Sequence, residues 1–135
     1  MDLRIIFFAL VMITTPWISH ATQTDEQRIL SQQLSMVAKE VNSKAPWALD
    51  ADTRLDSAAT MKNYIIYNNT LVNYTADQLD VAMFDSILED SVIGKLCANK
   101  ELRSFIDLKV IMVYRYLGKD GQFITELSKD MATCK

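Results

Sequence analysis

Two cysteines, Cys97 and Cys134, constrain the fold of this chain more than any other pair of residues. They follow an N-terminal stretch with the features of a secretory signal, and exported proteins usually pair an even number of cysteines. We therefore predict a disulfide between them. On the chain-entropy account, closing a loop of this length stabilises a domain by about 4 kcal/mol. A redox-active pair is the weaker alternative, because the cysteines do not form a Cys-x-x-Cys motif.

The secretory signal is predicted from the first residues of the chain. Arg4 precedes an apolar run from Ile5 to Thr14, Pro16 then breaks any helix, and Ser19-His20-Ala21 supplies the small residues that signal peptidase requires. We expect cleavage after Ala21, so that residues 1–21 are a signal peptide and residues 22–135 form a single domain in the periplasm or outside the cell. A retained anchor is the alternative, but the run is shorter than the roughly 20 residues that span a bilayer.

Composition argues against several functional classes. The only histidine, His20, lies inside the predicted signal, which leaves the mature chain without Ser-His-Asp or Cys-His catalysis and without a histidine-based zinc site. The net charge is -3, without any basic block, so we expect no binding to nucleic acid. The three glycines are too scattered for a phosphate-binding loop. We expect no cofactor, no metal and no catalytic residue.

Two acidic pairs were candidates for other chemistry. Asp50 and Asp52 resemble part of a calcium loop, but the glycine and the closing glutamate of an EF-hand are missing. The same pair, or Glu89 with Asp90, could act as the two carboxylates of a glycosidase. We interpret the first pair as loop residues and the second as the polar side of a helix, and keep a carboxylate-based hydrolase as a remote alternative.

Helix and strand patterns predict the element order α-β-β-α-α-β-β. Capping boxes at Thr24 and Thr75 open a helix that runs to about Ser43 and a second that runs to about Ala98. The second helix carries two adjacent apolar rows, which predicts the best-buried helix of the domain. A short helix is expected over residues 100–107. Strands are predicted over residues 53–61 and 64–74, and over residues 109–117 and 122–129.

Alternation of apolar residues assigns a face to each predicted strand. In the first hairpin the expected core residues are Leu55, Ala59, Met61, Tyr64, Ile66 and Val72. In the second hairpin, Tyr116 should oppose Phe123, Tyr114 should oppose Thr125, and Met112 should oppose Leu127. The first helix is expected to cover part of the other face of this hairpin. The fold class is therefore α+β, with an antiparallel sheet of two hairpins backed by helices and held by one disulfide.

Aromatic residues outside the predicted core indicate a surface that binds a protein partner. Trp47 lies in a loop, and Tyr67 opposes the predicted core face of its strand. Interfaces are enriched in such amphipathic side chains, so we predict that these two residues contact a partner. A groove between the long helix and the sheet could accept an amphipathic helix.

The layout resembles the AspS-type pilotins of bacterial type II secretion. The resemblance extends over about residues 38–134 and is clearest at Leu96-Cys97-Ala98-Asn99, at Val110 to Tyr114, at the glycine-rich hairpin turn and at Thr133-Cys134. It implies a periplasmic α+β domain with one disulfide that binds a short helical segment of an outer-membrane secretin. Those pilotins are lipoproteins, whereas no cysteine follows the apolar run here, so we expect no stable membrane anchor.

These observations together predict a non-catalytic exported protein that docks a peptide or helix of an envelope or secretion-related protein. Since the lipid-attachment cysteine is missing, the expected partner is an envelope or secreted protein other than the secretin that the pilotins carry. A small secreted inhibitor or effector is the alternative function.

Overall fold

The computed structural model describes residues 24–135, and the predicted signal peptide lies outside this range. The helices are α1 (Asp25–Lys44), α2 (Val81–Ser91) and α3 (Arg103–Asp107). The strands are β1 (Trp47–Ala48), β2 (Thr53–Met61), β3 (Tyr64–Leu71), β4 (Ile111–Leu117) and β5 (Phe123–Asp130). Short 3-10 turns cover Ala76–Gln78, Ile93–Lys95, Lys100–Leu102 and Met131–Thr133. The predicted α+β class is confirmed.

The strands form one sheet in the order β1-β2-β3-β4-β5. The two predicted hairpins are present, and β1 adds a short fifth strand at the edge. The sheet is mixed and not antiparallel throughout as expected, because β3 and β4 run parallel. Parallel neighbours need a long crossover connection, and α2 and α3 provide it.

All three helices contribute to one hydrophobic cluster on one face of the sheet. Its buried members are Leu34, Ile65, Leu71, Leu88, Ile93, Leu96, Phe105, Val110, Met112, Tyr116, Ile124, Leu127 and Met131. We call this side the helical face, and the opposite side, with Met61, Tyr64, Ile66 and Ile111, the open face. The expectation that the first helix covers the other face of the second hairpin is wrong, because Leu34 of α1 joins the cluster on the helical face.

The first hairpin has the predicted turn but a different buried face. Met61 pairs with Tyr64 as expected, yet a β-bulge between Leu55 and Ser57 reverses the alternation along β2. Ala58 is therefore buried beside Leu55, while Met61 is 60% exposed. On the facing strand, Ile65, Tyr67 and Leu71 lie on the helical face. The predicted core positions Ala59, Met61, Tyr64 and Ile66 lie on the open face, and β3 ends before Val72.

The second hairpin has the predicted buried strand face in a register shifted by two residues. Tyr116 pairs with Thr125 and Tyr114 pairs with Leu127. Leu117 faces Phe123 and not Gln122, which shifts the register by one residue, and a bulge next to Leu117 inserts an extra residue into β5, which shifts it by one more. The residues expected in the core are buried, with two exceptions. Tyr114 is only half-buried, and Phe123, the predicted partner of Tyr116, is 58% exposed.

The long helix predicted from Thr75 to Ala98 is broken at both ends. The Gln78 side chain accepts a hydrogen bond from the Thr75 N–H (2.9 Å), but only a 3-10 turn follows. Helix α2 starts after Asp80, whose Oδ1 accepts from the Met83 N–H (3.0 Å). Beyond its C-terminal end, a Cβ at Gly94 would lie 2.9 Å from the carbonyl oxygen of Glu89, so this close approach requires glycine.

The predicted disulfide is present. Cys97, which follows the 3-10 turn after α2, is bonded to Cys134 at the C-terminal end, with the Cα atoms 5.3 Å apart. The bond therefore ties the crossover connection to the segment that follows β5. In the part of the chain that the structure describes, no helix combines the length and the hydropathy needed to cross a bilayer.

Candidate protein-binding groove

Helices α1 and α2 pack over different parts of the helical face, and we interpret the space between them as a groove. Helix α2 packs against β5, whereas α1 packs mainly against β2. The N-terminal turn of α1 faces Leu108 and Lys109, and its C-terminal turn binds the backbone of Ala58 through Asn42. Because α1 thus crosses the sheet from the start of β4 to the β2 edge, the middle parts of β3 and β4 lie between the two helices.

Two tyrosines form the floor of this groove. Tyr67 of β3 and Tyr114 of β4 are register neighbours, and their rings stack with centroids 5.3 Å apart and an interplanar angle of 22°. Both side chains are half-buried. Stacked tyrosines offer a broad apolar surface with a polar tip, a combination that protein interfaces favour.

The floor stays uncharged at physiological pH. Burial raises the pKa of Tyr67 to about 12 and also raises the pKa of Tyr114. Burial, with a smaller contribution from the Asp50 carboxylate, raises the pKa of Tyr116 to about 12. The tyrosine hydroxyls therefore remain available as neutral hydrogen-bond donors and acceptors.

The orientation of α2 is fixed by two contacts with the sheet. Thr125 Oγ1 on β5 donates a hydrogen bond to Asp85 Oδ1 (2.6 Å). On the neighbouring strand, the rings of Phe84 and Tyr116 meet edge to face at 5.4 Å. One flank of α2 therefore lies above the edge strand β5, and the Phe84 flank lies above β4 and faces the groove.

Two exposed apolar side chains follow the groove flank of α2. Met83 and Ile87, one helical turn apart, are 63% and 54% exposed. They belong to one of the two apolar rows that the sequence places on this helix. The other row, with Phe84 and Leu88, packs into the core. The prediction that this helix is the best buried is wrong, because α2 has one buried residue and α1 has two. The exposed row gives this flank of α2 an apolar surface.

A cavity of about 430 Å³ lies between the β1–β2 turn and the start of α2. Asp50, Asp52, Leu71, Tyr74 and Phe84 are among the residues that line it. The cavity joins an apolar floor to an acidic rim.

The acidic rim is part of the turn itself. Asp50 Oδ1 accepts from the backbone N–H groups of Asp52 and Thr53, both at 2.8 Å, and these bonds hold the pKa of Asp50 below its usual value. Asp52 accepts from Asn73 Nδ2 at 2.7 Å. These hydrogen bonds agree with the interpretation of both aspartates as loop residues. Within residues 24–135, no three side chains of metal-binding type cluster.

The structure does not bring the two predicted partner-binding residues together. Trp47 is half-buried in β1, paired with Leu55 at the outer edge of the sheet, and β2 separates it from the strand that carries Tyr67. Tyr67 lies in the groove. The sequence predicts it on the face opposite the core, but it lies on the helical face and packs against the core cluster. Their contact with a partner stays a prediction.

Tyr114, Met83 and Ile87 were not predicted as groove residues, because their apolar spacing assigns each of them to the core. Their apolar character was recognised, and only the packing shows that they are accessible. Asn69 was missed as well. It is 1% exposed beside the groove floor, and its Oδ1 accepts no hydrogen bond from any described residue.

Comparisons with known proteins identify the fold. No protein-family profile matches the sequence, and no curated protein is a significant sequence relative. Among solved structures, a Pseudomonas aeruginosa protein described as secreted matches with a TM-score of 0.70 at 21% identity, over 84% of this chain and 100% of that chain. The Vibrio vulnificus type 2 secretion pilotin EpsS matches with a TM-score of 0.65 at 18% identity, over 82% and 96% of the two chains.

The type II secretion pilotin AspS of Vibrio cholerae is also similar, with a TM-score of 0.62 at 18% identity, over 81% of this chain and 95% of that chain. These matches cover nearly the whole of each neighbour at low sequence identity. The resemblance to AspS-type pilotins is therefore confirmed at the level of the fold.

Proposed function

We propose that this protein is a non-catalytic binding protein that is exported to the bacterial envelope, where it docks a peptide or helix of an envelope or secretion-related protein. The observation that carries the proposal is the accessible apolar groove with Tyr67 and Tyr114 on its floor and Met83 and Ile87 on its wall. Exposed apolar side chains that line a concave surface are typical of interaction sites.

An amphipathic helix is the occupant that fits this groove best. A helix presents apolar residues at intervals of three and four, which can contact the tyrosine floor and the α2 wall at the same time. Its polar side would face solvent, and the tyrosine hydroxyls would provide hydrogen bonds at the edge of the contact. The acidic rim at Asp50 and Asp52 would favour a helix with a basic end.

The fold supports this proposal independently. The neighbours EpsS and AspS are pilotins of type II secretion systems, and the Pseudomonas aeruginosa neighbour is described as secreted. A shared fold does not transfer a partner, so the proposal names the class of partner and takes its chemistry from the groove.

The groove can be tested by site-specific photo-crosslinking in a Gram-negative host. A photoreactive residue at Met83 should crosslink one envelope protein, whereas the same residue at Met36, an α1 methionine that is 70% exposed, should not. The crosslinked segment, made as a peptide, should bind the purified domain in calorimetry. The changes Met83→Glu and Ile87→Glu should weaken binding by about 30-fold or more, as expected at a hot spot, and Met36→Glu should not.

Identical crosslinks at both positions, or none at either, would contradict the groove assignment.

Cell fractionation separates the proposal from the alternative of a secreted inhibitor or effector. Recovery in the osmotic-shock fraction supports an envelope protein, and recovery mainly in the culture medium supports the alternative.

A further inference from the structure

The two edges of the sheet differ in how their backbone groups are satisfied. At the β2 edge, β1 pairs with Arg54 and Leu55. The Asn42 side chain then accepts from the Ala58 N–H (2.7 Å) and donates to the Ala58 carbonyl oxygen (2.8 Å). A short strand and one asparagine thus occupy hydrogen-bonding groups that an incoming strand would need, which is how proteins close an edge.

The β5 edge is open. Met131 N donates to the Val110 carbonyl oxygen at 2.9 Å, and residues of an antiparallel pair alternate between bonded and non-bonded positions. Counting back along the β4–β5 register, Lys129, Leu127 and Thr125 bond to β4. The backbone groups of Glu126 and Ser128 therefore point away from the sheet.

These outward backbone groups are without partners in the described region. Neither Glu126 nor Ser128 exchanges a backbone hydrogen bond with any residue of 24–135 other than its strand neighbours, and both side chains are exposed. Asp130, the next outward position, is already used, because its carbonyl oxygen accepts from Thr133 Oγ1 (2.6 Å). Two successive outward residues offer two donors and two acceptors at the spacing of a β-ladder.

An acidic flank of α2 lies above this edge. Asp85 is held over β5 by Thr125, and Glu89 follows one turn later on the same flank. Neither carboxylate forms an ion pair within residues 24–135. One helical turn of four residues rises about 6 Å, which matches the roughly 6.6 Å between alternate side chains of a strand.

We infer that the β5 edge docks an extended segment of a partner protein, which adds as a sixth strand and places basic side chains at alternating positions beneath Asp85 and Glu89. The backbone ladder supplies the affinity and the acidic flank supplies the selectivity. This inference goes beyond the groove and does not require it, since the residues involved are on the other flank of α2.

The charges argue against a second copy of this chain as the occupant. Antiparallel pairing of two β5 strands would place both α2 helices on the same side of the joined sheet. The acidic flanks would then face each other, and such like-charge contacts are unfavourable.

The test uses two synthetic peptides, acetyl-Val-Lys-Val-Lys-Val-amide and its glutamate counterpart, titrated into the purified domain and followed by NMR. The lysine peptide should shift the amide signals of Glu126 and Ser128 and slow their hydrogen exchange. The affinity of the glutamate peptide should be lower than that of the lysine peptide by about tenfold or more. In the double variant Asp85→Asn with Glu89→Gln, this preference should disappear.

Ser128→Pro is the decisive variant. The substitution removes an N–H that makes no bond to β4, so β5 should still fold as an edge strand. The proline ring, however, blocks the pairing of an added strand at this position. Binding of the lysine peptide should fall by about tenfold or more, whereas the control Ser128→Thr should bind normally. If Ser128→Pro does not fold, the lysine peptide is instead N-methylated on the amides that face β5, and it should lose binding, while methylation of the other amides should not.

Four results would overturn the inference. The lysine peptide could shift the signals of Tyr67 and Tyr114 in place of those of β5. Both peptides could bind equally, or neither could bind. Sedimentation could show that the free protein dimerises through β5, with Glu126 and Ser128 already protected from exchange.

Discussion

The two halves of this domain are held together by different means. In the N-terminal half, α1 is attached to β2 and to the core by non-covalent contacts alone, chiefly the fully buried Leu34 and the two hydrogen bonds of Asn42. In the C-terminal half, a covalent bond between Cys97 and Cys134 encloses α3, β4 and β5. The groove lies between these two halves. On one side is α1, which is held by non-covalent contacts alone. On the other side is α2, and the segment that follows it is bonded to the C-terminal end through Cys97 and Cys134.

Because of this difference, we expect each half to lose stability in response to a different kind of change. Packing and hydrogen-bond changes should loosen α1 first, while loss of the disulfide should loosen the C-terminal half first. Local opening can then be followed residue by residue with native-state hydrogen exchange.

The largest effect is expected from the double change Cys97→Ala with Cys134→Ala. Losing the crosslink should lower the free energy of unfolding by about 4 kcal/mol, because the unfolded chain regains the entropy of an open loop. Urea denaturation measures the loss, and a reductant should have no effect on the double variant. Hydrogen exchange should accelerate first in β5. If α1 opens just as early, the two halves are one cooperative unit and the comparison is wrong.

Leu34→Ala should destabilise the domain by about 3 kcal/mol. The side chain is fully buried in the main cluster, so its removal leaves a cavity that the neighbours fill only in part. Thermal or urea unfolding gives the magnitude. Met36→Ala, on the exposed side of the same helix, should change stability by less than about 0.5 kcal/mol. Equal losses for both variants would mean that helix propensity and not burial holds α1.

Asn42→Ala should cost about 1–2 kcal/mol. The change leaves the N–H and the carbonyl oxygen of Ala58 without their side-chain partner at the β2 edge. The exposed Gln33 on the same helix provides the control, with no expected change for Gln33→Ala. Faster exchange of the Ala58 amide, with β5 unaffected, would show that the N-terminal half opens independently of the C-terminal half. Unchanged exchange at Ala58 would show that the edge is closed by other contacts.

The smallest effect, absent at neutral pH, concerns the groove floor. The pKa of Tyr67 is raised from 10.0 to about 12 in the folded state, so the neutral form is favoured on folding. This contribution to stability is fully present below pH 10 and is lost as the pH rises towards 12. Tyr67→Phe should therefore lose less stability than the natural protein over this alkaline range, as measured by urea unfolding at a series of pH values. Parallel curves would show that Tyr67 does not titrate differently on folding.

Local signals in the sequence predicted local structure well. The capping box at Thr24 and Gln27 has both of its hydrogen bonds, at 3.0 and 3.2 Å, because capping depends only on residues three apart. The disulfide was predicted from the even number of cysteines and the expected export of the chain. The first hairpin turn was located correctly, since the strand pattern changes sharply around Lys62-Asn63.

The errors arise where structure depends on distant residues. A bulge in each hairpin displaced the alternation or the register, and a single inserted residue leaves no reliable mark in an apolar pattern. The parallel pairing of β3 with β4 depends on how the crossover folds back. The groove that the sequence predicts, between the long helix and the sheet, stays a prediction, and the stacking of Tyr67 on Tyr114 depends on the pairing of strands that are distant in sequence.

The parallel pairing at the centre of the sheet also bears on how the chain folds. Each hairpin can form from neighbouring residues, but β3 can meet β4 only after the whole intervening crossover has been arranged. Contacts between segments far apart in sequence slow folding. We therefore expect the chain to complete its native topology late, after the whole of β4 and β5 has been synthesised.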